Sequence, residues 1–408
     1  MRKNEIIAAI DFGTTKVIVL IAEAGEKGLQ VIGVGVAESE GMRKGMIINI
    51  GKTVESIVRA KKASEHMAGC EISTVVSGIG GSTLTGVNKN GMISTKKGEI
   101  SRSDVERVIE TAMTYPMPLD RTLINVIPQQ YTVDDHDGIK DPIGMSGVRL
   151  DMDVHLITAA SASVENITKC AKRAELKIVD LLANPLASSL AVLEKNEKEL
   201  GVALVDIGGG TTEISVWING ALVWTSVLGI GGQLITQDIG TGLRTPLACA
   251  EEIKVRYGCA KSDLVDPSEM VEVPGVGGRE EKVLRRSVLT EIIEPRMEEI
   301  FRMVQKELEK TEFYDLLAAG VVITGGTSQM QGIVELGEEV LNLPVRNGGP
   351  LNVKGLSNLV SSPSFSTAYG LLVYETMMMD ESLPFPMKPV RVKGQSTGFF
   401  KKVANFLF

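Results

Sequence analysis

Aromatic residues make up only 4% of the 408 positions, so any core must be built from Val, Ile, Leu, Ala and Met. Cysteine and histidine are scarcer still. Cys70, Cys170, Cys249 and Cys259 are scattered with no C-x-x-C spacing, which argues against a disulfide framework and for reduced thiols in a cytosolic protein. His66, His136 and His155 are isolated and make no metal cluster. No apolar run approaches the ~18 residues that a membrane span needs. The run Ile6 to Ile10, behind Met-Arg-Lys, stops at Asp11 and is too short for the apolar part of a signal peptide. Positive charge is in deficit: the net charge of −8 argues against a nucleic-acid-binding body. A chain of this length is expected to hold two or more domains and to bury substantial cores.

The last eleven positions break this pattern. Phe399, Phe400, Val403, Phe406 and Leu407 recur at the spacing of one helix face, Lys401, Lys402 and Asn405 take the opposite face, and Phe408 ends the sequence. A short helix with aromatics on one side and lysines on the other suits a membrane interface. The stretch 382–397 carries Pro384, Pro386 and Pro389 without apolar periodicity and reads as a linker. No acid follows Glu381, so Lys388, Arg391, Lys393, Lys401 and Lys402 give the tail +5 and leave −13 on the body. The plainer reading is a terminal helix docked on its own core. The proline linker and the charge asymmetry favour the membrane.

Two short motifs share one grammar. Apolar Ile6 to Ile10 leads into Asp11-Phe12-Gly13-Thr14-Thr15-Lys16 and then apolar Val17 to Ala22. Apolar Val202 to Val205 leads into Asp206-Ile207-Gly208-Gly209-Gly210-Thr211-Thr212-Glu213 and then Ile214 to Val216. Aligned on Thr-Thr, the second copy is two glycines longer, and the repeat implies duplicated domains. Glycines let backbone N–H groups approach an anion, threonine hydroxyls add donors, and Lys16 supplies a point charge for phosphate. Asp11 and Asp206, each at a strand end, suit Mg2+ held through water. Either turn alone is an ordinary Gly-rich connection. Together they are expected to grip a triphosphate from both sides.

Further elements fit a nucleotide. Val321 to Thr324 reads as a strand entering a turn at Gly325, Gly326, Thr327 and Gln329 before a helix over Met330 to Leu341, with the glycines open to a base or ribose. Glu251 and Lys254 lie on a helical segment and can reach ribose hydroxyls, although a solvated face is the plainer reading. Gly51-Lys52-Thr53 imitates the end of a P-loop, but the glycine needed five residues earlier is Met46. Pro185 to Ala191 and Ser366 to Gly370 offer small residues where two helices can cross closely. Ser103 and Glu106 read as a capping box, and Pro295 is expected to kink or break its helix.

The series Asp-x-Gly-Thr-Thr, Asp-x-Gly-Gly-Gly-Thr-Thr and Thr-Gly-Gly-Thr resembles the actin/Hsp70/sugar-kinase ATPase superfamily. Within it the chain closely resembles the FtsA family of bacterial cell-division proteins. The matching stretches include Val126-Ile-Pro-Gln-Gln-Tyr131, Gly138 to Arg149, Val154-His-Leu-Ile-Thr158, Glu252 to Ala260, Ile293-Glu-Pro-Arg296 and the terminal helix. The resemblance implies an α/β, actin-like ATPase fold: two related domains around a nucleotide cleft, an inserted small α+β subdomain and a C-terminal amphipathic helix. The implied division is 1–83 with 162–197 as domain 1A, 84–161 as inserted subdomain 1C, 198–232 with 301–381 as domain 2A, and 233–300 as subdomain 2B. A linker at 382–397 and a membrane helix at 398–408 complete it, and the helix near 363–381 is expected to pack on 1A.

By the same resemblance the protein binds ATP with Mg2+ and polymerises into protofilaments. It tethers FtsZ filaments to the inner face of the cytoplasmic membrane at the division site and recruits later division proteins. The FtsZ C-terminal peptide would dock near Lys282, Arg285, Arg286 and Arg296, whose charge suits an acidic and apolar peptide. No residue stands out as a hydrolytic base, since Glu213 lies on a strand whose facing the sequence leaves open. ATP is therefore expected to act mainly as a conformational ligand, with at most weak hydrolysis. A pilus-assembly relative of the same fold is the alternative reading; a small-molecule kinase and a chaperone stand further back.

Overall fold

The computed structural model describes residues 5–379 apart from 27, 96–97 and 115–116. The expected linker and membrane helix, with Phe399, Phe400, Lys401, Lys402, Val403, Phe406, Leu407 and Phe408, lie outside the described residues. No helix among the described residues is long and apolar enough to cross a membrane.

The chain opens as an antiparallel meander of β1 (Glu5–Phe12), β2 (Lys16–Gly25) and β3 (Gly28–Glu38). Val17 to Ala22 are all fully buried, as a continuous apolar run covered on both faces must be. A small hairpin, β4 (Met42–Arg43) and β5 (Met46–Ile47), then precedes α1 (Ile50–Ala68). Asn49 caps α1 by accepting from the Lys52 N–H at 3.1 Å. Gly51-Lys52-Thr53 is thus a first helical turn and not a phosphate loop. Next, β6 (Thr74–Ile79) runs parallel to β1.

A separate unit follows: β7 (Thr85–Ser94), α2 (Arg102–Met113), β8 (Arg121–Val133), β9 (His136–Ile139) and β10 (Arg149–Ala160). Its sheet order is β7-β10-β8-β9, and Ile100, Val105, Val108, Tyr131 and Val154 belong to its own buried cluster. The capping box lies two residues before the expected one. Ser101 accepts from the Asp104 N–H, and the Asp104 carboxylate accepts from the Ser101 N–H at 3.0 Å. Asp104 at the third helical position does what glutamate usually does there.

After α3 (Ser161–Arg173), β11 (Lys177–Ala183) completes the first sheet in the order β11-β6-β1-β2-β3. Then α4 (Asn184–Val192) and α5 (Lys195–Leu200) lead to a second meander, β12 (Val202–Ile207), β13 (Thr212–Ile218) and β14 (Ala221–Leu228). There follow α6 (Gly232–Leu243), α7 (Leu247–Tyr257), the hairpin β15 (Met270–Val273) with β16 (Lys282–Arg285), and α8 (Arg286–Glu309). The chain continues through β17 (Val321–Thr324), α9 (Ile333–Leu341), β18 (Val345–Asn347), α10 (Ser357–Val360) and α11 (Ser366–Met379). The second sheet reads β14-β13-β12-β17-β18, the topology of the first: a meander extended by two parallel strands. This repeats the architecture at the level of the whole domain.

Helix α8 runs through Pro295 without a break. Proline removes one backbone donor, but Leu289, Ile293, Met297, Ile300, Phe301 and Val304 bury an apolar stripe on both sides of it, and packing outweighs that loss. The expected helix from Met330 begins later. A 3-10 turn covers Gly326–Gln329, Gly332 adopts φ +76°, and α9 starts at Ile333. Helix α11 follows second-domain strands yet buries Ala368, Tyr369, Leu371, Leu372 and Tyr374 in the first-domain cluster. It crosses α4 so closely that a β-carbon at Gly370 would strike the Ala187 carbonyl. The small residues at the crossing therefore tie the two halves together at their base.

Candidate functional site

The two Gly-rich turns are equal in length. Asp11 pairs with Ile18 across the first hairpin and Asp206 with Glu213 across the second. Gly13 therefore corresponds to Gly208, and Thr14 and Thr15 correspond to Gly209 and Gly210. The Thr-Thr alignment with two extra glycines was misleading, because strand register and not residue identity sets the correspondence. In each turn the first glycine donates across the loop: Gly13 N–H to the Lys16 carbonyl at 3.0 Å, and Gly208 N–H to the Thr211 carbonyl at 2.9 Å. A β-carbon at Gly13 would lie 2.6 Å from that Lys16 oxygen.

The asymmetry has a steric purpose. A β-carbon at Gly210 would fall 2.6 Å from Thr14 Cγ2, and one at Gly209 would strike Thr15. The two tips interlock, with threonines on one side and bare backbone on the other. Behind them lie Asp11, half-buried, and Asp206, buried. Burial, then the neighbouring Asp206, pushes Asp11 up from 3.8 to about 7, with Lys16 opposing. Burial pushes Asp206 up to about 6 against hydrogen bonds from Thr367 (3.2 Å) and Ser188 and the charge of Lys16. Both acids hold a proton more tightly folded than unfolded. That contribution to stability is complete below the unfolded value near 4 and is lost as pH rises through 6 and 7. Lys16 stands over the Phe365 ring at 5.1 Å, and burial lowers its pKa against the pull of Asp11 and Asp206.

Glu213 now has a direction. Residues directly opposite on antiparallel strands share a face, so it projects with Asp206. It is buried, and its pKa is raised well above 4.5 by burial, then by Asp206 and Asp11. Its carboxylate accepts from the Gly81 N–H and the Asn184 side chain. A β-carbon at Gly80 would lie 2.5 Å from both Asn184 Nδ2 and Glu213 Oε1. Glu213 thus joins the second domain to the loop after β6 of the first. The sequence reading missed Asn184, Ser188 and Thr367, which sit on helices far away in the chain. The sequence left the facing of Glu213 open, and only the strand register, which sets it opposite Asp206, settles it.

Gly325 brings the third loop against the acids. At φ +90° its β-carbon would strike Asp206 and lie 2.6 Å from the Ile207 carbonyl. Thr327 Oγ1 donates to the Gly208 carbonyl at 3.1 Å, and Gln329 at the exposed rim accepts from Ser362 at 3.0 Å. Lys254 is not on a solvated face, although the Glu251 side chain beside it stays 45% exposed. Lys254 Nζ donates to Glu251 (2.7 Å), Thr236 (2.9 Å) and the Gly232 carbonyl (3.2 Å). Gly232 itself donates to the Gly208 carbonyl at 2.9 Å and has no room for a β-carbon beside Thr327. One wall therefore unites α6, α7, the third loop and the second hairpin. Gly231 and Gly232 were overlooked, though a Gly-Gly step between strand and helix is itself a signal.

The four basic residues of the expected peptide site differ in availability. Arg286 donates to the Tyr257 carbonyl (2.7 Å), Glu269 (2.6 Å) and Gln331 (2.5 Å). Arg296 donates to both Asp238 oxygens (2.5 and 3.1 Å) and to Glu299. Lys282 and Arg285 are exposed on β16. Only this pair presents charge to solvent.

The cleft suits a magnesium nucleotide. A β-carbon at Gly13 or Gly208 would crowd its own turn at Lys16 or Thr211, so both turns stay tight with bare backbone, and the raised pKa of Asp11 and Asp206 behind them is what a bound cation would compensate. Hairpin N–H groups, Thr14, Thr15 and Lys16 would receive phosphates, and Glu251, Lys254 and Thr327 would line the nucleoside side.

Known proteins match this chain. A family model described as Cell division protein FtsA matches residues 203–370, and one described as SHS2 domain inserted in FTSA matches residues 81–158. The Cell division protein FtsA of Neisseria meningitidis is 45% identical over 387 residues, covering 94% of this chain and 93% of that protein. That of Pseudomonas aeruginosa is 44% identical over 375 residues, covering 92% and 90%. That of Bacillus subtilis is 37% identical over 401 residues, covering 98% and 87%. Among solved structures, the PilM-PilN type IV pilus biogenesis complex has a TM-score of 0.63 at 16% identity, covering 91% of this chain and 98% of that chain. MreB5 of Spiroplasma citri bound to ADP has a TM-score of 0.56 at 13% identity, covering 92% and 97%. Both structural likenesses show a shared actin-like fold and nothing finer.

Proposed function

The chain belongs to the FtsA family of cell-division proteins, and on that premise we propose that it is an ATP-binding tether for FtsZ filaments. It assembles head to tail into actin-like protofilaments, attaches peripherally to the inner face of the cytoplasmic membrane at the division site, and recruits later division proteins. The observation that carries the nucleotide part is the pair of interlocked hairpins backed by Asp11 and Asp206. Asp11 and Asp206 would hold Mg2+ through water, and its charge would let both carboxylates ionise. The chain's own residues orient the phosphates and join the domains. Glu213 serves as a bridge between domains, and turnover is at most slow.

The sequence division into 1A, 1C, 2A and 2B is kept within this proposal. On 2B, Lys282 and Arg285 meet the acidic and apolar FtsZ peptide, while Arg286 and Arg296 brace the surface beneath. The membrane part rests on the amphipathic stripe from Phe399 to Phe408. Each large apolar side chain contributes at most ~1.5–3 kcal/mol when fully buried, and less at an interface. A lone tail is therefore a reversible anchor. Joined tails gain orders of magnitude by avidity, so nucleotide-controlled assembly sets membrane residence.

Liposome flotation with Mg-ATP and labelled FtsZ tests the tether. FtsZ is expected to float with the full chain and to stay in the dense fraction with a chain ending at Thr397. If the protein floats and FtsZ never does, the partner is wrong and the tether reading fails.

A further inference from the structure

We propose that Lys44 reads the terminal phosphate of the bound nucleotide and so sets the preference for a nucleoside triphosphate over a diphosphate. The inference rests on the nucleotide reading of the cleft and names a specificity residue that the paired hairpins do not contain.

Lys44 sits at the tip of the β4–β5 hairpin, at φ +50° between Gly41 (+83°) and Gly45 (+72°). Lys44 and Gly45 are the two loop residues of this hairpin, and their positive φ is what a tight two-residue turn requires. The base is pinned: Ile48 and Asn49 N–H groups donate to the Gly41 carbonyl at 2.8 and 3.0 Å, and Thr53 Oγ1 adds a bond at 3.3 Å. The tip is pinned to the phosphate turns themselves. Gly45 N–H donates to Thr14 Oγ1 at 3.0 Å. A β-carbon at Gly45 would lie 2.6 Å from Gly81 Cα and 3.3 Å from Thr211 Cγ2. The hairpin therefore closes over both turns at once.

The Lys44 side chain then crosses to the second domain, where its Cδ would stand 3.6 Å from a β-carbon on Gly229. Gly229 opens the loop that continues through Ile230, whose carbonyl accepts from Thr212 Oγ1 at 3.0 Å, to Gly232 on the Gly208 carbonyl. Lys44 thus spans from one domain to the loop that cradles the other domain's phosphate turn. Its charge is uncompensated. Lys16 lies beside Asp11 and Asp206, and Lys254 is bonded to Glu251, but Lys44 is exposed with no carboxylate partner among the described residues. A free ammonium on a fixed tip over two phosphate turns favours the ligand with the extra negative charge.

The test uses the full chain with Mg2+ and compares ATP with ADP affinity by competition against a fluorescent nucleotide. Wild type is expected to prefer ATP. Lys44→Ala narrows that preference by about tenfold, the scale of one charge-assisted contact, while ADP affinity stays within about twofold. Lys44→Arg retains the preference, and Arg43→Ala, with the same charge loss one residue away, leaves it unchanged. Lys44 is exposed, so these variants should fold. An unchanged ATP-to-ADP ratio in Lys44→Ala, or an equal loss for both nucleotides, overturns the assignment while leaving the cleft intact. Wild type that binds neither nucleotide overturns the nucleotide reading itself, and this inference with it.

Discussion

Asp206→Ala is expected to lower Mg-ATP affinity by at least about a hundredfold, near 2.7 kcal/mol, and to leave the protein folded. The carboxylate lies at the end of β12 against the third loop, where Gly325 leaves room for nothing larger than hydrogen. In the proposed site it would be one of the two carboxylates that hold the metal, so its removal takes away half of that pair. Ionising this carboxylate opposes folding, because burial raises its pKa to about 6, so removing it costs the fold no favourable charge. What is lost from the fold is one acceptor for Thr367 and Ser188, a cost of about 1–3 kcal/mol. Nucleotide titration beside a circular-dichroism melt separates the two effects. Wild-type ATP affinity in a folded variant would remove Asp206 from the site.

Gly370→Val is expected to destabilise the protein by about 3 kcal/mol or more, the largest stability effect anticipated here. The crossing of α4 and α11 brings the Gly370 Cα against the Ala187 backbone, and backbone cannot rotate away as a side chain can. The same crossing carries the cleft floor, since Asn184 and Ser188 on α4 and Thr367 on α11 reach the acids. Urea unfolding reads the stability directly. A midpoint equal to wild type would mean that the helices separate easily and that the crossing is not a fixed joint.

The elements legible in the sequence were those built from local pattern. Apolar runs ending in Asp and Gly announced β1, β2, β12 and β13 and their turns, and small residues announced the α4–α11 crossing. Where long-range packing decided, the sequence misled. Thr-Thr looked equivalent in the two turns, but strand register pairs threonine with glycine so that the tips can interlock. Pro295 looked like a helix breaker, but the buried stripe on either side holds α8 together. Glu251 and Lys254 looked ordinary as a charged helical pair, and only the folding of α6 beside α7 buries the lysine. Lys44 carries no signal in its own tripeptide. Its role emerges from Thr14, Gly81, Thr211 and Gly229, which are neighbours only in the folded chain.

The central claim is that two carboxylates of raised pKa, half-buried Asp11 and buried Asp206, receive a magnesium nucleotide. Titration calorimetry with preformed Mg-ATP at pH 6.5, in two buffers of different ionisation enthalpy, tests it most directly. With Asp11 at about 7 and Asp206 at about 6, binding should release about one proton per nucleotide, a release that fades by about pH 8. Binding with no proton release at pH 6.5, or with proton uptake, would contradict the claim that these carboxylates face the metal.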